Sequence, residues 1–234
     1  MKKTYGIIFE TGWDNYVSEH LTKLGIPHTR AERNKLRLIE TPEAILVIGM
    51  RPNSPGVAVD IELMKMYYSI KKVFRVGSFG AYGNGIDVGD IILCTDAIRG
   101  EGTSKCYVPD PTFPAACDFN LTKVVADKLG EYMPRFHTGT LWTTDGRIVG
   151  QYEPEIINDL VEKNVQGVDM ESSCFFVLGK IMGMQTANLS VAVDIPAQDK
   201  KYLEFSYESP RVSQALRICC QSITDAILQD QNIS

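Results

Sequence analysis

Histidine is scarce in this 234-residue sequence, and clusters of basic residues are missing. None of the three histidines, His20, His28 and His137, lies near a cysteine, and the six cysteines show no Cys-x-x-Cys spacing. A zinc site therefore has little support, and free thiols are expected. The 24 Lys and Arg residues are outnumbered by 29 Asp and Glu residues, for a formal charge of −5. This balance argues against nucleic acid or an anionic membrane as the main partner and favours small-molecule chemistry.

Long hydrophobic runs are also absent. The N-terminal sequence MKKTYGIIFE contains an apolar run too short for a secretion signal, and no later run approaches a membrane span. We therefore expect a cytoplasmic protein with no membrane partner. With 234 residues, 44% of them hydrophobic, the chain is long enough for one large α/β domain over residues 1–234.

Predicted strands and helices alternate along the chain. Apolar runs predict the strands Tyr5–Phe9, Ala44–Gly49, His137–Thr144 and Gln185–Val193, and helical spacing predicts helices over 14–24, 57–68, 121–133, 153–163, 172–182 and 211–229. Arg30 to Ile39 is highly charged and is predicted as a strand or hairpin arm. The helix over 57–68 links two parallel strands as a βαβ unit. The alternation predicts a three-layer α/β/α sandwich with a central mixed, partly closed sheet.

The stretch from Lys71 to Ser104 has the composition of a ligand cradle. An apolar strand is predicted to end at Phe74, and a glycine-rich turn is predicted to follow it. In that turn Arg75 offers a cation, Ser78 a hydroxyl, and Gly77 a backbone amide that a ligand can approach closely. Such a set of groups suits an oxyanion, most simply phosphate. Glycines between strands are also ordinary turn residues, so the stretch alone leaves both interpretations open.

A second stretch, Gly167 to Ala197, places acids around a predicted helix and strand. Asp169 and Glu171 flank Met170 just before the helix, where acids also complement a helix dipole. Asp194 ends the following strand, where it could equally form a turn. From about Ala44 to the C-terminus, the two stretches in this order resemble nucleoside phosphorylase family 1. That family contains purine nucleoside phosphorylases, uridine phosphorylases and related hydrolytic nucleosidases.

The resemblance implies cleavage of an N-glycosidic bond through a ribosyl cation-like state. It implies that Arg75 and Ser78, with the amides around Gly77, bind phosphate, and that Met170 and Glu171 bind ribose. Asp194 would assist departure of the base, because purine-cleaving members carry an aspartate here and an acid at purine N7 eases its departure. Asp194 and Arg75 are thus the expected catalytic residues. Inorganic phosphate is the implied co-substrate, with no metal or organic cofactor.

The base pocket follows neither branch of the family completely. Thr143, Asp145, Arg147 and Gln151 are the expected base-binding residues, although the sequence keeps the glutamine of the uridine pattern and lacks its arginine. The segment Phe113 to Phe119 also resembles the uridine branch.

The first strand is followed by FETGWDNYV, whereas the family has a Gly-Asp-Pro turn with a nearby phosphate-binding arginine. Gly12 is expected to form the turn. The sequence leaves open whether Arg30, Arg33 or Arg51 supplies the second charge, from this chain or from a neighbouring subunit.

The leading hypothesis is a nucleoside phosphorylase that cleaves a ribonucleoside, with purines weakly favoured, to the free base and ribose 1-phosphate. The alternatives are a uridine phosphorylase, a hydrolytic nucleosidase that uses water, and a nucleoside-binding protein without turnover. The resemblance also implies a homo-oligomer, either a dimer or a hexamer of dimers.

Overall fold

The computed structural model describes residues 2–82, 85–146, 154–196 and 207–232. Within these ranges the strands are β1 (Lys3–Ile8), β2 (Thr29–Arg33), β3 (Leu36–Glu40), β4 (Ala44–Gly49), β5 (Lys72–Ala81), β6 (Ile91–Arg99), β7 (His137–Thr143), β8 (Gly167–Asp169) and β9 (Gln185–Asp194). The helices are α1 (Asp14–Lys23), α2 (Asn53–Tyr68), α3 (Thr103–Tyr107), α4 (Phe119–Tyr132), α5 (Pro154–Glu162), α6 (Ser172–Ile181) and α7 (Pro210–Asn232).

The described strands form one mixed sheet that closes on itself at one end. Its order is β2-β3-β4-β1-β5-β8-β7-β6-β9, and an additional pairing joins β9 back to β5. Strands β5, β8, β7, β6 and β9 thus form a closed barrel-like ring. Strands β2, β3, β4 and β1 extend the described sheet from β5 as an open part with a free edge at β2. Strand β5 pairs in parallel with both β1 and β9, so these three strands end at the same edge of the sheet. The predicted α/β fold with a mixed, partly closed sheet is confirmed.

Two hydrophobic clusters cover the two faces of this sheet. Side chains of β1 alternate between them, with Tyr5 and Ile7 in one cluster and Ile8 in the other. This is the period of two expected for a strand buried on both faces. Helices α1 and α4 pack against α7 on the first face, and α2 packs against α6 on the second. The result is three layers, helix on sheet on helix.

Several sequence predictions are confirmed, and one is wrong. The strand Ala44–Gly49 has the predicted bounds, and the charged segment near Arg30 forms the hairpin of β2 and β3. The six cysteines are free. The predicted turn after Phe74 is wrong, because β5 continues to Ala81. The reason is that residues 75–79 pair with residues 188–192 of β9, so the glycines lie inside a strand.

In the described ranges, no helix combines the length and apolar character needed to cross a membrane.

Candidate functional site

A cavity of about 460 Å³ opens at the edge where β1, β5 and β9 end. Its walls come from the segment after β1, the ends of β5, β8 and β9, the segment between β8 and α6, the start of α2, and Tyr207, which precedes α7. Its lining residues are Glu10, Thr11, Trp13, Pro52, Asn53, Ser78, Phe79, Gly80, Thr144, Val168, Asp169, Met170, Glu171, Val193, Asp194, Pro196 and Tyr207. The two stretches singled out in the sequence therefore meet at one site, although the 62 residues of 105–166 separate them.

Beside this cavity, the side chain of Arg75 lies in space that Gly77 leaves open. The two residues are on the same face of β5 because side chains alternate along a strand. A Cβ atom at Gly77 would lie only 2.3 Å from Cζ of Arg75. In this structure Gly77 therefore makes room for the guanidinium, and its place inside β5 corrects the prediction that it lies in an open phosphate-binding turn.

Three carboxylates surround the Arg75 guanidinium. Its Nη2 lies 2.6 Å from Glu171 and 2.8 Å from Glu10, and its Nη1 lies 3.3 Å from Asp169. Arg75 is only 1% exposed. Burial alone would lower the pKa of this guanidinium, but the carboxylates, Glu171 foremost, raise it above its usual value. The arginine is therefore a fixed cation in a site where acids outnumber it.

Glu10 accepts hydrogen bonds from Ser78, a residue that the sequence analysis assigned to phosphate binding. Ser78 donates its backbone N–H to Oε1 of Glu10 at 2.7 Å and its hydroxyl to Oε2 at 2.6 Å. The backbone N–H is available because β1 pairs with β5 only as far as Arg75. Beyond that point β1 has ended, and the carboxylate of Glu10, two residues after Ile8, takes the place of a strand partner. Burial raises the pKa of Glu10, against the opposing effects of Arg75 and Ser78.

The side chain of Glu171, which lies between β8 and α6, contacts the start of α2. Its Oε1 accepts the backbone N–H of Asn53 at 2.9 Å, while its Oε2 contacts Arg75. Asn53 has a φ of 64°, a conformation that asparagine tolerates better than most residues. Burial raises the pKa of Glu171 to about 8, although Arg75 opposes this shift. Met170 lines the cavity next to Glu171, and its carbonyl accepts the Ser54 hydroxyl at 2.7 Å.

Of the expected base-binding residues, Thr143 and Asp145 lie outside the cavity lining. Thr143 is buried away from the cavity lining, where its hydroxyl donates to Asp169 at 2.8 Å, so its role in the structure is to position that acid. The Asp145 carboxylate accepts the backbone N–H of Gly102 at 2.8 Å and is likewise outside the lining. Arg147 and Gln151 lie outside the described residues. Asp194 is 9% exposed and does line the cavity.

The arginines considered for a second phosphate charge are paired elsewhere in this chain. Arg30 contacts Asp14, Arg51 contacts Asp60, and Arg33 lies 3.5 Å from Glu40. None of the three lines the cavity, and neither does Gly12, which belongs to the segment that carries Glu10.

Sequence reasoning missed Glu10, Trp13 and Tyr207. The Tyr207 hydroxyl lies 2.8 Å from Oγ of Ser78, and its ring centroid lies 6.4 Å from that of Trp13, so the two aromatics form one wall. Burial raises the pKa of Tyr207 to about 12, so this hydroxyl keeps its proton at neutral pH. The sequence feature that could have identified Glu10 is an acid directly after the first strand, at the place where the resembled family has its phosphate-binding turn.

Comparison with known proteins places the chain in a family. The family model described as the phosphorylase superfamily matches residues 2–227. The chain therefore belongs to the phosphorylase superfamily.

Individual relatives come from both the uridine and the purine branches. The chain is 31% identical over 142 residues to a uridine phosphorylase of Thermococcus kodakarensis, a match that covers 56% of this chain and 50% of that protein. It is 24% identical over 140 residues to a DeoD-type purine nucleoside phosphorylase of Buchnera aphidicola, covering 60% of this chain and 58% of the relative. These matches span 50% and 58% of the two relatives' lengths.

The fold also agrees with a solved structure. The crystal structure of uridine phosphorylase from Vibrio fischeri superposes with a TM-score of 0.78 at 23% identity, covering 96% of this chain and 92% of the other. The likeness therefore extends over nearly the whole fold.

Proposed function

We propose that the protein is a nucleoside phosphorylase, a pentosyltransferase that cleaves a ribonucleoside to the free base and ribose 1-phosphate. The observation that carries this proposal is the convergence of Ser78, Glu171 and Asp194 on one cavity, beside a buried arginine. The family membership and the named phosphorylase relatives support it.

Each part of the reaction has a group in the cavity. Glu171 would accept hydrogen bonds from the ribose hydroxyls, and in its ionised form it would stabilise the ring as positive charge develops there. A phosphate oxygen would form the new bond to C1 while the bond from C1 to the base nitrogen breaks. The base would leave with a proton or hydrogen bond from Asp194. Ser78 and Arg75 would hold the phosphate.

Purines are the weakly favoured substrates because Asp194, an acid, lines the cavity. Uridine is kept as the alternative base, because the Thermococcus relative is a uridine phosphorylase. The expected roles of Arg147 and Gln151 in base binding stay predictions.

Hydrolysis is the second candidate function. The bond between Glu10 and Ser78 favours it, because a carboxylate at the proposed phosphate position could instead accept a proton from water. In that reaction the water oxygen would form the bond to C1, and ribose rather than ribose 1-phosphate would be released.

Product analysis with and without phosphate tests these functions. Inosine, adenosine and uridine would each be incubated with the protein, and the free base and sugar product would be separated by chromatography. We expect base release that requires phosphate and yields ribose 1-phosphate. Release of ribose without phosphate would establish the hydrolase, and no release would refute both activities for these three nucleosides and leave a binding role or a nucleoside outside this set. Glu171→Ala serves as the inactive control for contaminating enzymes.

We further propose that phosphate is a co-substrate, that no organic cofactor is used, and that the protein forms a homo-oligomer in the cytoplasm. An apolar stripe on α2 supports the oligomer, since Val59 and Met66 are 40% and 69% exposed and lie two turns apart on one helix. Light scattering after size-exclusion chromatography would measure its mass.

A further inference from the structure

We propose that Glu10 is a built-in competitor of phosphate, so that phosphate binds only when the Glu10 carboxylate leaves Ser78 and Arg75. This inference rests on the proposed function for its substrate. It makes Glu10 the residue that sets the protein's affinity for its anionic co-substrate, a role that the sequence analysis did not give it.

The geometry makes the two anions mutually exclusive. Glu10 uses both of its carboxylate oxygens, one on the Ser78 backbone N–H and the other on the Ser78 hydroxyl. The first oxygen also accepts from Nη2 of Arg75 at 2.8 Å. These are the donors that a bound phosphate would need, and they hold the carboxylate at distances of 2.6 to 2.8 Å. A phosphate oxygen cannot occupy the same positions.

Charge adds to this steric competition. Arg75 is the cation that faces Glu10, while the acids Asp169 and Glu171 lie on the same guanidinium and the neutral Tyr207 hydroxyl lies on Ser78. Adding dianionic phosphate beside three carboxylates is unfavourable in a buried site. Removing one carboxylate from the group lowers this repulsion as well as opening the donors.

The position of Glu10 in the chain allows it to leave. Glu10 lies after the end of β1 and before α1 begins at Asp14, so no strand pairing fixes it. It is itself a lining residue of the cavity, which gives its side chain space into which it can rotate. The flanking Phe9 is anchored by the bond from its N–H to the Gly49 carbonyl, so a rotation of Glu10 need not move β1.

Protonation provides a second way to release the carboxylate. A protonated carboxyl binds Arg75 less strongly and loses one acceptor position. Because burial raises the pKa of Glu10, this protonation occurs at a higher pH than for an exposed glutamate. Anion affinity should therefore rise as pH falls. Sulfate is the appropriate probe of this dependence, since its charge stays constant over the range in which phosphate changes its own.

Calorimetric titration with phosphate and with sulfate tests the proposal directly. Glu10→Ala removes the competitor, and Glu10→Gln keeps its shape without the charge. Glu43→Gln, on an exposed residue far from the cavity lining, is the matched control. We expect Glu10→Ala to bind phosphate at least tenfold more tightly than the unchanged protein at pH 7.5, while the control matches the unchanged protein. Sulfate affinity should rise from pH 8 to pH 6 in the unchanged protein and change less in Glu10→Gln.

The Glu10 variants are expected to fold, because Arg75 keeps Glu171 and Asp169 as partners when the Glu10 carboxylate is removed. A thermal midpoint for each variant verifies this. Equal phosphate affinity in folded Glu10→Ala and the unchanged protein would overturn the proposal. Tighter phosphate binding by Glu10→Ala, in a protein that releases no base with phosphate, would support the competition and separately refute the phosphorylase function.

Discussion

Replacing Gly77 with alanine would test whether the space beside Arg75 is required by the ion cluster. The new Cβ would lie 2.3 Å from Nη1 and 2.4 Å from Nη2 of the guanidinium. Carbon atoms in contact stay about 3.5 Å apart, so the guanidinium must move by about 1 Å. Movement of that size would stretch its contacts with Glu171 and Glu10, now 2.6 and 2.8 Å, beyond hydrogen-bonding distance.

The expected loss of stability follows from these contacts. Overpacking a core costs about 1–3 kcal/mol, and breaking a buried ion pair costs about 3–5 kcal/mol. Because Asp169 can stay near a displaced guanidinium, we expect a loss of about 3 kcal/mol in the free energy of unfolding. In a protein of this size each kcal/mol lowers the melting temperature by about 2–4 °C, so the melting temperature should fall by about 6–12 °C.

Urea unfolding followed by circular dichroism would measure the free energy, and thermal unfolding would give the midpoint. The matched control is Gly130→Ala in α4, where a Cβ meets no atom within 4 Å. This control should be neutral or slightly stabilising, because alanine favours a helix more than glycine does. If Gly77→Ala were as stable as Gly130→Ala, the proposed role of Gly77 in accommodating the guanidinium would be refuted.

Three further predictions concern the cavity acids. Glu171→Gln should lower the rate of base release by on the order of a hundredfold with the fold retained, and a near-normal rate measured by chromatography would contradict its ribose role. Burial raises the pKa of Glu171 from 4.5 to about 8, so the folded protein retains a proton that the unfolded chain loses. Its contribution to stability should therefore decline as pH rises between these values, and urea unfolding should show a shallower decline in Glu171→Gln. Asp194→Asn should slow inosine cleavage at least tenfold more than uridine cleavage, because only the purine uses an acid at N7, and equal slowing would refute that role.

The sequence was sufficient for much of the fold because apolar periodicity is a local property. Ala44–Gly49 is a continuous apolar run, and it forms β4 with those bounds. The extent of β5 was misjudged because Arg75, Gly77 and Ser78 look like turn residues when only their neighbours in the chain are considered. Their strand conformation depends on β9, which lies more than 100 residues away. Long-range pairing thus overrides the local signal of the glycines.

Pairing in space also explains why Glu10 was missed. Its contact with Ser78 joins residues 68 positions apart, and its contact with Arg75 joins residues 65 positions apart. The composition of FETGWDNYV shows an acid and a missing arginine, but it does not show where the acid points. Asp169 and Glu171, by contrast, could be singled out because they lie two positions apart in one short motif.

The topology of the sheet explains why an anion is held at this point. Strand β1 ends at Ile8 while β5 continues to Ala81, so the Ser78 N–H projects beyond the last pairing with β1. An N–H shielded from water without an acceptor is costly, and this partly buried one is satisfied by Glu10. If Glu10 moves away, the same N–H requires another acceptor, which a phosphate oxygen provides. Exchange of Glu10 for phosphate therefore preserves the hydrogen bonds of Ser78, and the difference between the two states comes from charge around Arg75. Removal of the Glu10 charge should then alter phosphate affinity more than it alters the stability of the fold.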